Sequence, residues 1–221
     1  MRKRLLYSVL AGVALAGAVA VPAAAEPVPA FSFEDCPAIP AGADPGQWRC
    51  EVLVSHGTVT IGRLGTVEIT SMRMTFAEGR LNGEFAQVFG ALRAEPVWVR
   101  GSWVRLEYAG FADFLSVGDR LGEQHLKLGV RAPWVPRGCA IGSEADPIVL
   151  KPVRTAPTEV VSQDPLVLRF SMRDNEFAVP GADGCGPLNR AVERRFGVPA
   201  STGVNDLELT TYVRLRSYGT P

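Results

Sequence analysis

The sequence predicts a mainly β protein, an antiparallel β-sandwich or open β-barrel with one short helix near the C-terminus. Three observations carry that reading. Segments in which apolar and polar residues alternate recur about every 8–15 residues along the chain. Gly, Pro and Asp turns separate them, and a single stretch shows helical spacing. Four cysteines, an even number with no Cys-x-x-Cys pair, read as two disulfides holding the sheet, and not as metal or redox centres.

The chain begins with Met1-Arg2-Lys3-Arg4, continues with an apolar run from Leu5 to Val21, and reaches Val21-Pro22-Ala23-Ala24-Ala25. A cationic start, a short apolar stretch and small residues at −3 and −1 define a secretory signal peptide over 1–25, cleaved after Ala25. The run is short for a bilayer-spanning helix and Pro22 interrupts it. No cysteine follows the cleavage site to take a lipid, and no membrane span is expected after cleavage. The expectation is therefore a secreted protein, free or associated with the cell wall, made of a single disulfide-tied β domain over 26–221. The whole chain carries 23 basic and 23 acidic residues. Loss of Arg2, Lys3 and Arg4 leaves a slightly acidic domain, which excludes a nucleic-acid footprint.

Residues 26–47 are rich in Pro, Gly and Ala, lack periodicity, and read as an irregular N-terminal arm. From Trp48 the period is two. Trp48, Cys50, Val52 and Val54 share one face and Arg49, Glu51 and Ser55 the other, as in a half-buried strand. Short strands follow at 58–61, 66–70 and 72–76, with Met72, Met74 and Phe76 on one face. Asn82-Gly83 is a hairpin turn, because both residues accept positive φ. The segments 83–92 and 96–100 are apolar, without helix stop signals. Strands are predicted again at 103–109, 124–131, 148–153, 166–172 and 207–215. The helix begins at Pro187, carries Leu188, Ala191, Val192 and Phe196 on one face, and ends at Gly197 and Pro199. It would cover an open end or edge of the sheet.

Of the three possible disulfide connectivities, Cys36–Cys50 with Cys139–Cys185 is preferred, because the short loop closes at the lowest entropy cost.

Catalytic signals are weak. His56 and His125 have no nucleophile and carboxylate arranged around them by spacing, and no Gly-x-Ser-x-Gly occurs. Asp113, Asp119, Glu123, Glu144, Asp146, Asp174 and Glu176 are acids of which no two stand out as a glycosidase pair. No metal or cofactor motif is present. Trp98, Trp103, Tyr108, Phe111 and Phe114 cluster within 17 residues, and the stretch 108–114 does not alternate, so it reads as a loop of exposed rings that could contact a ligand.

The segments Phe31-Ser32-Phe33-Glu34-Asp35-Cys36-Pro37, Thr75-Phe76-Ala77-Glu78-Gly79-Arg80-Leu81 and Asp174–Gly181 with Gly184-Cys185-Gly186-Pro187-Leu188 resemble segments of uncharacterised secreted proteins from actinobacteria such as Streptomyces. That resemblance implies export and an actinobacterial source, and it brings no activity or cofactor with it. The functional expectation is a non-enzymatic binding or structural module whose partner is a cell-wall glycan or a small apolar ligand. A secreted hydrolase using a carboxylate pair is one alternative. The other is a small apolar-ligand or lipid carrier with an internal pocket fringed by Met72, Met74, Phe76 and Phe89.

Overall fold

The computed structural model describes residues 27–219; the expected leader and its cleavage site lie outside the described residues. In chain order the elements are β1 (Arg49–Ile61), β2 (Gly65–Leu81), β3 (Glu84–Ala94), β4 (Val97–Val99), β5 (Ser102–Val117), β6 (Arg120–Arg131), β7 (Ala140–Ile141), β8 (Ile148–Leu150), β9 (Val153–Arg154), β10 (Glu159–Gln163), β11 (Leu166–Asp174), β12 (Ala182–Asp183), α1 (Asn189–Phe196) and β13 (Asn205–Ser217). The protein is mainly β and antiparallel, with one short α-helix near the C-terminus.

Several predicted strands fuse into longer ones. Gly57 does not end β1. It sits at a register shift against β2, where a Cβ would come within 2.0 Å of the Glu208 carbonyl oxygen. Only glycine lets the strand pass through this bulge. Asn82 and Gly83 take φ of 54° and 85° and join β2 to β3 as the expected tight hairpin. The stretch 108–114 is not a loop but part of β5; two bulges opposite β6 erase the simple alternation that a regular strand would show. The helix is as read: a 3-10 turn at Gly186–Leu188 leads into α1, and Gly197 closes it in the left-handed conformation at φ 72°.

All thirteen strands belong to one sheet, which is not closed into a barrel. One half contains β11, β13, β1, β2 and β3, with β10 on the flank of β11. The other half is built on β6, which pairs along its length with β5 on one side and in turn with β7, β8 and β9 on the other. The halves are joined through β9, a two-residue strand that pairs with both β6 and β11. The sheet curls until β3 and β5, its far edges, face each other without a ladder between them. Side chains make that seam. Phe89 stacks on Tyr108 at 4.0 Å, Phe76 stacks on Phe114 at 3.9 Å, and the Phe114 N–H donates to Gln87 Oε1 at 3.0 Å.

The apolar core fills the inside of the curl, with Met72, Leu126, Leu128, Met172 and Leu209 at its centre and Val192 and Phe196 of α1 plugging one end. The outside of β1 and β2 is covered as well, which corrects the half-buried reading of β1. Trp48, Cys50 and Val52 are almost fully buried, but beneath the N-terminal arm and outside the main core. The arm is held at several points. The Asp35 carboxylate bridges Arg73 at 3.0 Å and Arg93 at 2.8 Å. Trp48 Nε1 donates to the Arg80 carbonyl, and Tyr218 Oη to the Pro37 carbonyl. Gly79 and Gly90 lie directly under this cover: a Cβ would meet the Trp48 ring at 2.6 Å in the first case and the Asp35 carbonyl oxygen at 2.4 Å in the second.

Both disulfides pair as the sequence reading preferred, Cys36–Cys50 across 14 residues and Cys139–Cys185 across 46. The first fastens the arm to β1 and the second fastens the approach to α1 to the loop before β7. Loop-closure entropy makes the longer bridge the more stabilising one. Replacing both cysteines of the 36–50 pair by serine is expected to cost about 3 kcal/mol, and of the 139–185 pair about 4 kcal/mol. Urea unfolding of the two double variants checks both the size and the order of the losses.

Candidate functional site

The pairing register decides which side chains enter the curl. Met72, Ser55, Thr211 and Phe170 stand opposite one another across β2, β1, β13 and β11, and Ser55 Oγ and Thr211 Oγ1 are hydrogen-bonded at 2.8 Å. In the next inward row Leu209 pairs with Met172, and Met172 with Arg154. Opposite them, β6 contributes Gln124, Leu126 and Leu128.

Two adjoining cavities remain between these walls. The first, of about 80 Å³, is lined almost wholly by aliphatic side chains from β1, β2, β4, β5, β6, β8 and β13, with Phe196 of α1 at its end. The second, of about 110 Å³, is mixed: Leu53, Met74 and Phe76 share its wall with Glu51, Ser55, Gln124 and Arg154. Met72, Gln124 and Met172 belong to both and form the partition. Methionine has flexible, unbranched side chains, so this partition can yield.

At the end away from α1 a polar network closes the second cavity. Arg49 Nε donates to Glu51 Oε1 at 2.8 Å and to Glu78 Oε1 at 3.0 Å, and its Nη2 also bonds Glu78. Gln87 Nε2 donates to Glu78 Oε2 at 3.2 Å. Burial pushes the Glu51 carboxyl up to about 7, with the neighbouring Glu78 charge and their mutual hydrogen bond adding to it and Arg49 opposing it. Glu51 is therefore protonated in mildly acidic solution and loses its proton around neutrality.

Two polar side chains in the second cavity have no such partners. Gln124 is 5% exposed, and its amide makes no hydrogen bond to another described residue. Arg154 packs its guanidinium over the Phe170 ring at 5.7 Å; its Nε is buried without a hydrogen-bond partner, and no described carboxylate pairs with it.

The five aromatic residues singled out in the sequence do not form one platform. Trp98 and Trp103 are exposed on the β4–β5 hairpin and pack edge to face at 5.1 Å. Phe111 is exposed and tilts against His125 at 4.9 Å. Tyr108 and Phe114 turn inward and form the seam described above. Met72, Met74 and Phe76 do fringe the interior space, whereas Phe89 serves the seam.

The candidate acids are dispersed. Glu123 is bonded to His125 at 2.9 Å and paired with Lys151 at 3.1 Å, which hold its carboxyl below the usual range. Asp174 is buried, not solvated: it accepts the Lys151 and Glu176 N–H groups and fixes the turn after β11. His56 lies beside Tyr212, its ring centroid 6.1 Å away. Where carboxylates do come together they share an arginine clamp and lie side by side, Glu51 with Glu78 on Arg49, Glu34 with Asp35 on Arg73 and Asp206 with Glu208 on Arg173, whereas glycosidase acids flank a substrate bond. Among the described residues no group of three or more His, Cys, Asp or Glu side chains is placed to hold a metal ion.

No family model, curated protein or solved structure matches the chain. The interior of the curl is thus the candidate site on its own geometry.

Glu51 also sets a pH signature. Its carboxyl titrates near the ordinary 4.5 when unfolded and about 7 when folded, so the native state holds the extra proton between those values. Stability contributed by this group is full below pH 4.5 and falls as pH rises toward 7, by roughly 2–3 kcal/mol. Glu51→Gln is expected to match the parent near pH 4.5 and to exceed it at pH 8 by about that amount, read by urea unfolding at the two pH values.

Proposed function

We propose that this is a secreted, non-enzymatic binding protein that carries a small apolar molecule inside its curled sheet. The observation that carries the reading is the pair of adjoining cavities, one nearly all aliphatic, at the centre of an otherwise packed core. Protein interiors pack to crystal-like density, and an unfilled apolar space forfeits dispersion contacts in proportion to its size. An occupant that is itself apolar restores those contacts, and such cavities stay free of water.

The surroundings agree. Two disulfides point to oxidising conditions outside the cytosol, and among the described residues no helix is long and apolar enough to cross a membrane. The basic and apolar leader in the sequence supports export. The expected glycan partner has less support: Trp98 and Trp103, both exposed, stand at 65° to each other and offer no flat stacking surface for a sugar ring.

Decanol, whose size matches the combined space, is the first probe. Calorimetric titration of the purified protein with decanol is expected to show saturable binding. Leu126→Trp, which fills the aliphatic cavity from β6, is expected to weaken decanol binding by about tenfold or more while the variant still unfolds cooperatively. A parent protein that shows no heat of binding with decanol would overturn the reading.

A further inference from the structure

The first cavity says only that the occupant is apolar; the second says more. Its wall is largely apolar, yet the buried Gln124 and the partly buried Arg154 line it without a side-chain hydrogen bond to another described residue, and the Arg154 Nε is fully buried there. Buried polar groups in native proteins are almost always satisfied, and a cation beside a low-dielectric space is costly unless an anion meets it. The Ser55 and Thr211 hydroxyls, by contrast, satisfy each other, so among the buried polar groups that line this cavity Gln124 and the Arg154 Nε are the ones left without a partner among the described residues.

Glu51 does not supply the missing anion. It lines the same cavity, but its ionisation answers to burial, Glu78 and Arg49, and Arg154 has no part in it. Position matters too. Gln124 belongs to the partition between the cavities, and Arg154 pairs in register with Met172, another partition residue. A polar head held between these two groups therefore sits where a chain attached to it passes Met72 and Met172 into the aliphatic chamber. At roughly one water-sized position per 10–15 Å³, the two spaces together take on the order of a dozen non-hydrogen atoms.

We infer that the ligand is a single-chain carboxylate of medium length, its head bound by the guanidinium of Arg154 and the amide of Gln124 and its chain lodged in the aliphatic cavity. The guanidinium fork matches a carboxylate in shape and charge, and the Gln124 NH₂ offers a further donor to the same oxygens. The inference rests on the carrier reading proposed above and adds the class of head group to it.

Decanoate and decanol separate the two. They share a chain and differ in the head, so calorimetric titration of the parent, Arg154→Met and Gln124→Leu with each compound at pH 6 distinguishes all cases. The parent is expected to bind decanoate at least about tenfold more tightly than decanol. Arg154→Met is expected to lose that preference while retaining decanol, and Gln124→Leu to narrow it severalfold. If the parent binds neither compound, the carrier reading falls and this inference falls with it. If the parent binds decanol as tightly as decanoate, or if a folded Arg154→Met keeps the preference, the carrier reading stands and the carboxylate head is refuted. Should Arg154→Met fail to fold, the parent's preference and its response to Gln124→Leu decide alone.

Discussion

A sheet that curls without closing leaves two strand edges bare, and everything inside depends on how those edges meet. Here β3 and β5 face each other with no ladder hydrogen bonds between them. Bare edges invite pairing with other chains, and closed barrels avoid the problem by joining them through the backbone. This molecule joins them through side chains: Phe89 of β3 stacks on Tyr108 of β5 and Gln87 accepts one β5 N–H, while Phe76 of the adjoining β2 stacks on Phe114 behind them. Stacked rings contribute about 0.5–1.5 kcal/mol per pair beyond the area they bury. The seam covers the core where the two edges meet.

The second requirement is that the sheet be covered outside as well as inside. The arm over 27–47 lies across β1 and β2, pinned by a disulfide at Cys50, by the Asp35 bridge to two arginines and by the packing of Trp48 against Gly79. With that outer layer in place, the inward face of β1 is free to carry Glu51 and Ser55. An interior with hydroxyls and a carboxyl offers polar contacts as well as apolar ones.

Much of this architecture is legible in the sequence. The Asn82-Gly83 turn, the Cys36–Cys50 disulfide, the helix and most strands follow from local spacing, because each is decided by residues close together in the chain, and Cys139–Cys185 then follows as the remaining pair. The face of β1 that turns inward is not legible. Its alternation is clean, but both faces are buried, and period-two reasoning cannot tell a core from an arm that folds over the outside. The bulges in β5 hid a strand for a related reason: an extra residue breaks the period that identifies the element. The candidate site was the least accessible part. Glu51, Glu78, Gln124 and Arg154 come from four strands, and what brings them together is the curl. Glu51 on an otherwise regular strand and Arg154 beside the Pro152 strand end were the only local hints.

The two-residue β9 has a consequence for exchange with the surroundings. It is the hydrogen-bonded link between the halves of the sheet, and it lies across the interior from the ring-stacked edges. The molecule is thus built like a clasp, with a narrow spine on one side and a fastening made of side chains on the other. Separating the β3 and β5 edges severs ring contacts and the single Gln87 bond while the backbone ladder of each half stays whole. On the carrier reading proposed above, a ligand would enter and leave by parting this fastening, with neither half of the sheet unfolded.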